Sequence, residues 1–160
     1  MTILIAAAAL GACAQQAPAP AMVAVDTAAV NAGLAGVRAK YIAAETAGDA
    51  AAVAALYFPT GGIDYAGAPT MMGRDAVQAG MTAAWAARGH PEMAHIVPTS
   101  TNPYDNSNAT EIGTYHNMGK LNGKGTHEWG RYLISLSKDT DGSWKINYLM
   151  AFADSTKTDK

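Results

Sequence analysis

The sequence predicts an α+β fold in which three amino-terminal helices cover one face of a curved antiparallel sheet. Three observations carry this expectation. Apolar residues recur at helical spacing through the first half of the 160 residues. Four strand-like runs joined by short, turn-rich links fill the second half. No internal repeat or linker interrupts the chain after residue 25, so both halves form one domain.

The elements follow in order. Asp26 or Thr27 suits the cap of a first helix that runs to about Thr46. Val30, Leu34, Val37, Tyr41 and Ile42 form its buried stripe. In "YIAAETAGDAAAVAALYF", Gly48 suits a left-handed helix end and Asp49 caps the next helix at once. That short second helix carries Val53, Leu56 and Tyr57, and Pro59 with Gly61-Gly62 ends it. A brief strand, Ile63 to Ala66, follows. "MMGRDAVQAGMTAAWAAR" reads as a third helix with Val77, Met81 and Trp85 on one face and Gly89 as its stop. The strands cover about Met93–Tyr104, Ala109–Met118, His127–Ser137 and Ser143–Ala153. Their links, "DNSN", "GKLNGKG" and "KDTDGS", are turn chemistry, which implies an antiparallel meander. "GKLNGKG" reads as a mobile hairpin end.

Composition narrows the function classes. Hydrophobic residues make up 49% and charged residues 15%, enough to build a core. A net charge of -2 with no Arg/Lys cluster gives no case for nucleic acid. "GKLNGKG" lacks the spacing and following helix of a phosphate loop. His90, His95, His116 and His127 show no His-x-His pair and no helical i, i+4 pair, so no metal and no cofactor is predicted.

Cys13 is the sole cysteine, so no intrachain disulfide forms. It follows "ILIAAAALGA", a run too short to span a bilayer but suited to a secretion signal. Leu10-Gly11-Ala12-Cys13 resembles a bacterial lipobox. The resemblance implies cleavage before Cys13 and acylation of it, making residues 1–12 a signal peptide and 13–25 a tether. The domain is then 26–154 and the tail 155–160. Ala14, rather than Asp, implies a lipid anchor facing the periplasm from the outer membrane. The other reading of Cys13 is an ordinary core cysteine in an N-terminal helix.

The order of "YIAAETAGDAAAVAALYF", "GGIDYAG", "MMGRDAV", "EIGTYHNMG", "WGRYLISL" and "DGSWKI" resembles the nuclear transport factor 2-like superfamily. It is most similar to the SnoaL-like and ketosteroid-isomerase-like bacterial domains over about residues 30 to 154. The resemblance implies a cone-shaped sheet roofed by the helices, with an apolar pocket inside.

It also implies site residues. In ketosteroid isomerases a tyrosine on the first helix donates to the developing oxyanion, and Tyr41 matches it. Their aspartate base lies in the strand matching "GIDYAG". One register puts Tyr65 there and another puts Asp64, and strand alternation lets only one point inward. The catalytic expectation is Asp64 as base with Tyr41 as oxyanion donor. The family's second, protonated acid has no counterpart in "WGRYLIS", where Glu128 is the nearest carboxylate. Tyr57, Tyr65, Trp85, Tyr115, Trp129, Tyr132 and Tyr148 are the expected pocket lining, against a plain packing role for each. Capture of a small, mostly apolar molecule is the first functional expectation. Acid–base catalysis in the same pocket is the second, and a purely structural docking module the third. A homodimer through the sheet is the expected assembly.

Overall fold

The computed structural model describes residues 24–160. Cys13, the expected signal peptide and most of the expected tether lie outside the described residues. Asp26 caps α1 (Thr27–Thr46) by accepting from the Ala29 N–H at 2.9 Å. Val30, Leu34, Val37 and Tyr41 are its buried face. Gly48, at φ 67°, turns the corner, and Asp49 caps α2 (Ala50–Ala55) through the Ala52 N–H. The corner is tight: a Cβ on Gly48 would stand 2.9 Å from the His90 ring.

α2 is shorter than the sequence implies. Tyr57 opens strand β1 (Tyr57–Tyr65) instead of closing the helix. Pro59, Gly61 and Gly62 sit inside that strand, which departs from regular pairing between Tyr57 and Gly62. Met71 and Met72 form a two-residue strand, β2, against β1. α3 therefore starts at Arg74 and runs to Arg88, with Gly73 at φ 89° in its cap position.

Strands β3 (Pro91–Pro103), β4 (Asn108–Leu121), β5 (Lys124–Lys138) and β6 (Trp144–Thr158) form the expected antiparallel meander. β4 and β5 run further than predicted and leave only Asn122 and Gly123, both at positive φ, as the turn. "GKLNGKG" is thus mostly paired strand. β6 continues to Thr158, so residues 155–158 pair with β5 and are not a tail. The sheet order is β2-β1-β6-β5-β4-β3. β1 joins β6 in parallel, which makes the sheet mixed rather than wholly antiparallel.

Register shifts between Pro98 and Ser100, between Trp129 and Gly130, and between Ser135 and Leu136 mark bulges. Bulges bend strands and increase their twist, which curves this sheet around the helices. Leu34, Val53, Tyr57, Ile63, Val77, Met81 and Ile146 fill the core where the helices meet the sheet. No described helix is long and apolar enough to cross a membrane.

Candidate functional site

Between α1 and the concave face of the sheet lies a hollow of about 70 Å³, or about 720 Å³ with its mouth and the gaps between side chains. One helical face contributes Leu34, Val37, Arg38, Tyr41 and Glu45, which fall at turn-by-turn spacing. The sheet contributes Ile96, Tyr115, Tyr132, Ile134, Leu149 and Ala151 among others.

Cross-strand register decides which sheet residues face inward. Tyr65 aligns with Ala151, Ala151 with Tyr132, and Tyr132 with Gly113, and this row faces the hollow. Asp64 aligns with Met150, Met150 with Leu133, and Leu133 with Ile112, and this row faces outward. Asp64 therefore does not reach the cavity; its carboxylate accepts from the Thr70 hydroxyl at 3.0 Å. The expectation of Asp64 as an inward base is corrected by the period of two along the strand. Trp129 and Tyr148 also lie on the outward side, Trp129 stacked on His116 with ring centroids 4.6 Å apart. Tyr57 is fully buried beneath the hollow and does not line it. Trp85 lines a second recess next to it. Tyr41, Tyr65, Tyr115 and Tyr132 do line the hollow.

Two glycines place two of these tyrosines. Gly113 pairs with Tyr132, and Gly130 with Tyr115. A Cβ on Gly113 would stand 2.6 Å from the Tyr132 ring, and one on Gly130 would stand 2.4 Å from the Tyr115 ring. Each tyrosine lies across the bare backbone of the neighbouring strand and directs its hydroxyl along the concave face.

The polar groups form three stations. At the first, the Glu111 carboxylate is buried and accepts from Arg38 at 2.5 Å, Tyr132 at 2.8 Å and Thr101 at 3.3 Å. This carboxylate is paired and saturated, a structural arrangement. At the second, the Tyr41 and Tyr65 hydroxyls lie 3.5 Å apart, and the Tyr57 hydroxyl has no hydrogen-bond partner among the described residues. Burial pushes the Tyr41 and Tyr65 pKa values up, reinforced at Tyr41 by the neighbouring phenols and at Tyr65 by Glu45, so both hydroxyls stay protonated donors.

At the third station Glu45, from the last turn of α1, meets Glu128, Arg88, Asn117 and Tyr115. Tyr115 donates to Glu128 at 3.2 Å, and Arg88 approaches Glu128 at 3.6 Å. Asn117 offers Glu45 one N–H at 3.5 Å. Burial first, and the Glu128 charge second, push Glu45 up to about 7, with Arg88 opposing. Sequence reasoning missed Glu45 and Arg38. The available signal was two ionisable residues on an otherwise apolar helical stripe, at four-residue steps from Tyr41 and Leu34. Among the described residues no group of three or more His, Cys, Asp or Glu is placed to hold a metal.

A family model for a SnoaL-like domain matches residues 24–149. The chain belongs to the SnoaL-like family. Solved structures give this SnoaL-like domain the same fold at low identity. A ketosteroid isomerase-like protein from Erwinia carotovora atroseptica superposes with a TM-score of 0.69 at 20% identity, over 78% of this chain and 95% of that one. A candidate scytalone dehydratase from Novosphingobium aromaticivorans gives 0.69 at 14% identity, over 82% and 88%. A hexachlorocyclohexane dehydrochlorinase gives 0.70 at 12% identity, over 83% and 90%. No curated protein matches the chain.

Proposed function

We propose that this SnoaL-like domain captures a small, mostly apolar molecule in the hollow between α1 and the sheet. The observation that carries the reading is the lining: Leu34, Val37, Ile96, Ile134, Leu149 and Ala151 surround phenolic donors held by glycine-spaced strands. Apolar walls with few convergent polar groups are the general form of a small-molecule site. A thermal-shift screen of steroids, polyketides and fatty acids tests it. At least one class raises the unfolding midpoint, because a ligand that binds only the folded chain stabilises it. Ala151→Phe, which puts bulk into the hollow, removes that shift. A folded protein indifferent to every class sinks the reading.

A second reading, acid–base chemistry on the bound molecule, is favoured by Glu45. It stands one helical turn from Tyr41 and titrates at about 7, where a proton can be taken and returned at neutral pH. The dehydratase-like and dehydrochlorinase neighbours share the fold of this domain, and fold alone leaves chemistry open. Isotope exchange at an acidic C–H of a bound carbonyl compound, lost in Glu45→Gln, is the expected signature.

The domain works at the cell envelope in this proposal, held by acylated Cys13. Membrane association that vanishes in Cys13→Ser is the expected result. A Cys13→Ser protein that stays in the membrane fraction ends it.

A further inference from the structure

The third station of the hollow is short of hydrogen-bond donors and of positive charge. Glu45 and Glu128 both face it, against one cation, Arg88. Arg88 is half-exposed and reaches only one Glu128 oxygen, at 3.6 Å. Glu45 is buried, and its one donor is the Asn117 amide at the long distance of 3.5 Å. The other end of that amide, Asn117 Oδ1, is buried without any donor among the described residues. Three acceptors thus converge where the apolar cavity meets the second recess: Glu45, Glu128 and Asn117 line both. Glu45 also lies in the last turn of the 20-residue α1, the end of a helix that favours positive charge.

We propose that the captured molecule is an apolar primary amine whose ammonium group sits between Glu45, Glu128 and Asn117. The inference rests on the capture reading given above. An ammonium carries three N–H donors and no acceptor, which matches a carboxylate, a second carboxylate and an unpartnered amide oxygen. Its hydrocarbon part then lies along Leu149, Ile134 and Leu34, and the Tyr41 and Tyr65 rings flank it. Burial first, and the Glu128 charge second, hold a proton on Glu45, and a cation placed beside it opposes both. Amine binding therefore expels that proton.

This gives opposite pH signs for two ligands of the same shape. A cation prefers ionised Glu45, so amine affinity rises with pH through about 7. A neutral ligand that dries the cavity prefers protonated Glu45, so its affinity falls over the same window. Arg88, Glu128 and Tyr115 face Glu45 from α3, β5 and β4, and His90 lines the adjoining recess.

Calorimetric titration of the folded protein with 2-phenylethylamine and with 2-phenylethanol, at about pH 6 and about pH 8, reads this directly. The amine binds about tenfold tighter than the alcohol at the higher pH, with proton release at the lower one. Glu45→Gln, with a similar side chain and no charge, still binds the alcohol but loses both the amine preference and its pH dependence. Glu128→Gln weakens the amine in the same direction. Alcohol bound as tightly as amine, or an amine preference that survives in both variants, overturns the amine assignment and leaves the capture reading standing. Failure of both probes and of the wider ligand screen removes the capture reading itself. Magnesium, calcium and zinc salts serve as controls, and displacement of the amine by any of them at matched ionic strength assigns the station to a metal cation instead.

Discussion

Tyr115 lies across Gly130 of the adjacent strand, where a Cβ would stand 2.4 Å from the tyrosine ring and 2.3 Å from the Phe152 carbonyl oxygen. The bare glycine lets the ring sit flat on the sheet and carry its hydroxyl to Glu128. Gly130→Ala is expected to cost about 1–3 kcal/mol, the usual cost of overpacking, because one of the two close contacts is backbone. Gly36→Ala on exposed helix, with nothing within 4 Å of the new methyl, is the control, expected to gain roughly 0.5–1 kcal/mol. Urea unfolding of the two variants checks the difference in sign.

The Arg38–Glu111 pair predicts a different asymmetry. Arg38→Met leaves a buried carboxylate with only Tyr132 and Thr101 as donors and is expected to cost about 3–5 kcal/mol. Adding Glu111→Gln in the same chain removes the stranded charge and recovers much of the loss. A double-mutant cycle by chemical denaturation measures the coupling, and additive losses contradict the pairing.

Glu45 sets a pH dependence of stability. Its ordinary value is 4.5 and the folded value is about 7. As pH rises through that window the unfolded chain loses its proton first, so the folded state holds more protons and stability falls. The decline amounts to ~3 kcal/mol and is complete above about pH 8. Glu45→Gln removes this fall, so the variant is the more stable protein at high pH. Unfolding midpoints across the window test it, and parallel profiles for both proteins contradict it.

Tyr65 and Asp64 are neighbours on opposite faces of β1. Tyr65→Phe is expected to weaken a ligand that accepts from the phenols by about 0.5–1.5 kcal/mol, the net worth of one neutral hydrogen bond. Asp64→Asn changes ligand affinity by less than the error of calorimetry. The reverse ranking would restore Asp64 to the site.

The outward face of the sheet exposes Val97, Ile112, Leu133 and Phe152 together. We propose that a second copy covers this face. Leu133→Glu is expected to shift the protein from dimer to monomer in sedimentation velocity, with the fold intact by circular dichroism. A monomer before the substitution rules the dimer out.

Much of the fold was legible along the chain. Asp26 and Asp49 announce helix starts because a carboxylate satisfies N–H groups that nothing else reaches. Asn122, Gly123 and Gly142 suit hairpin turns through their tolerance of positive φ. Tyr57 misled as a helical residue because an apolar residue in a short stretch fits either period.

By itself the sequence determined the element order apart from the two-residue β2, the meander and the stripe of α1 that meets the sheet. Those follow from local period and from turn chemistry, which act within a few residues. Only the tertiary structure decided that Tyr65 and not Asp64 turns inward, that Glu45 is buried within reach of the Glu128 charge, and that β1 joins β6 in parallel. Register across strands and the loss of water around a carboxylate depend on residues dozens of positions away, and no local pattern carries them.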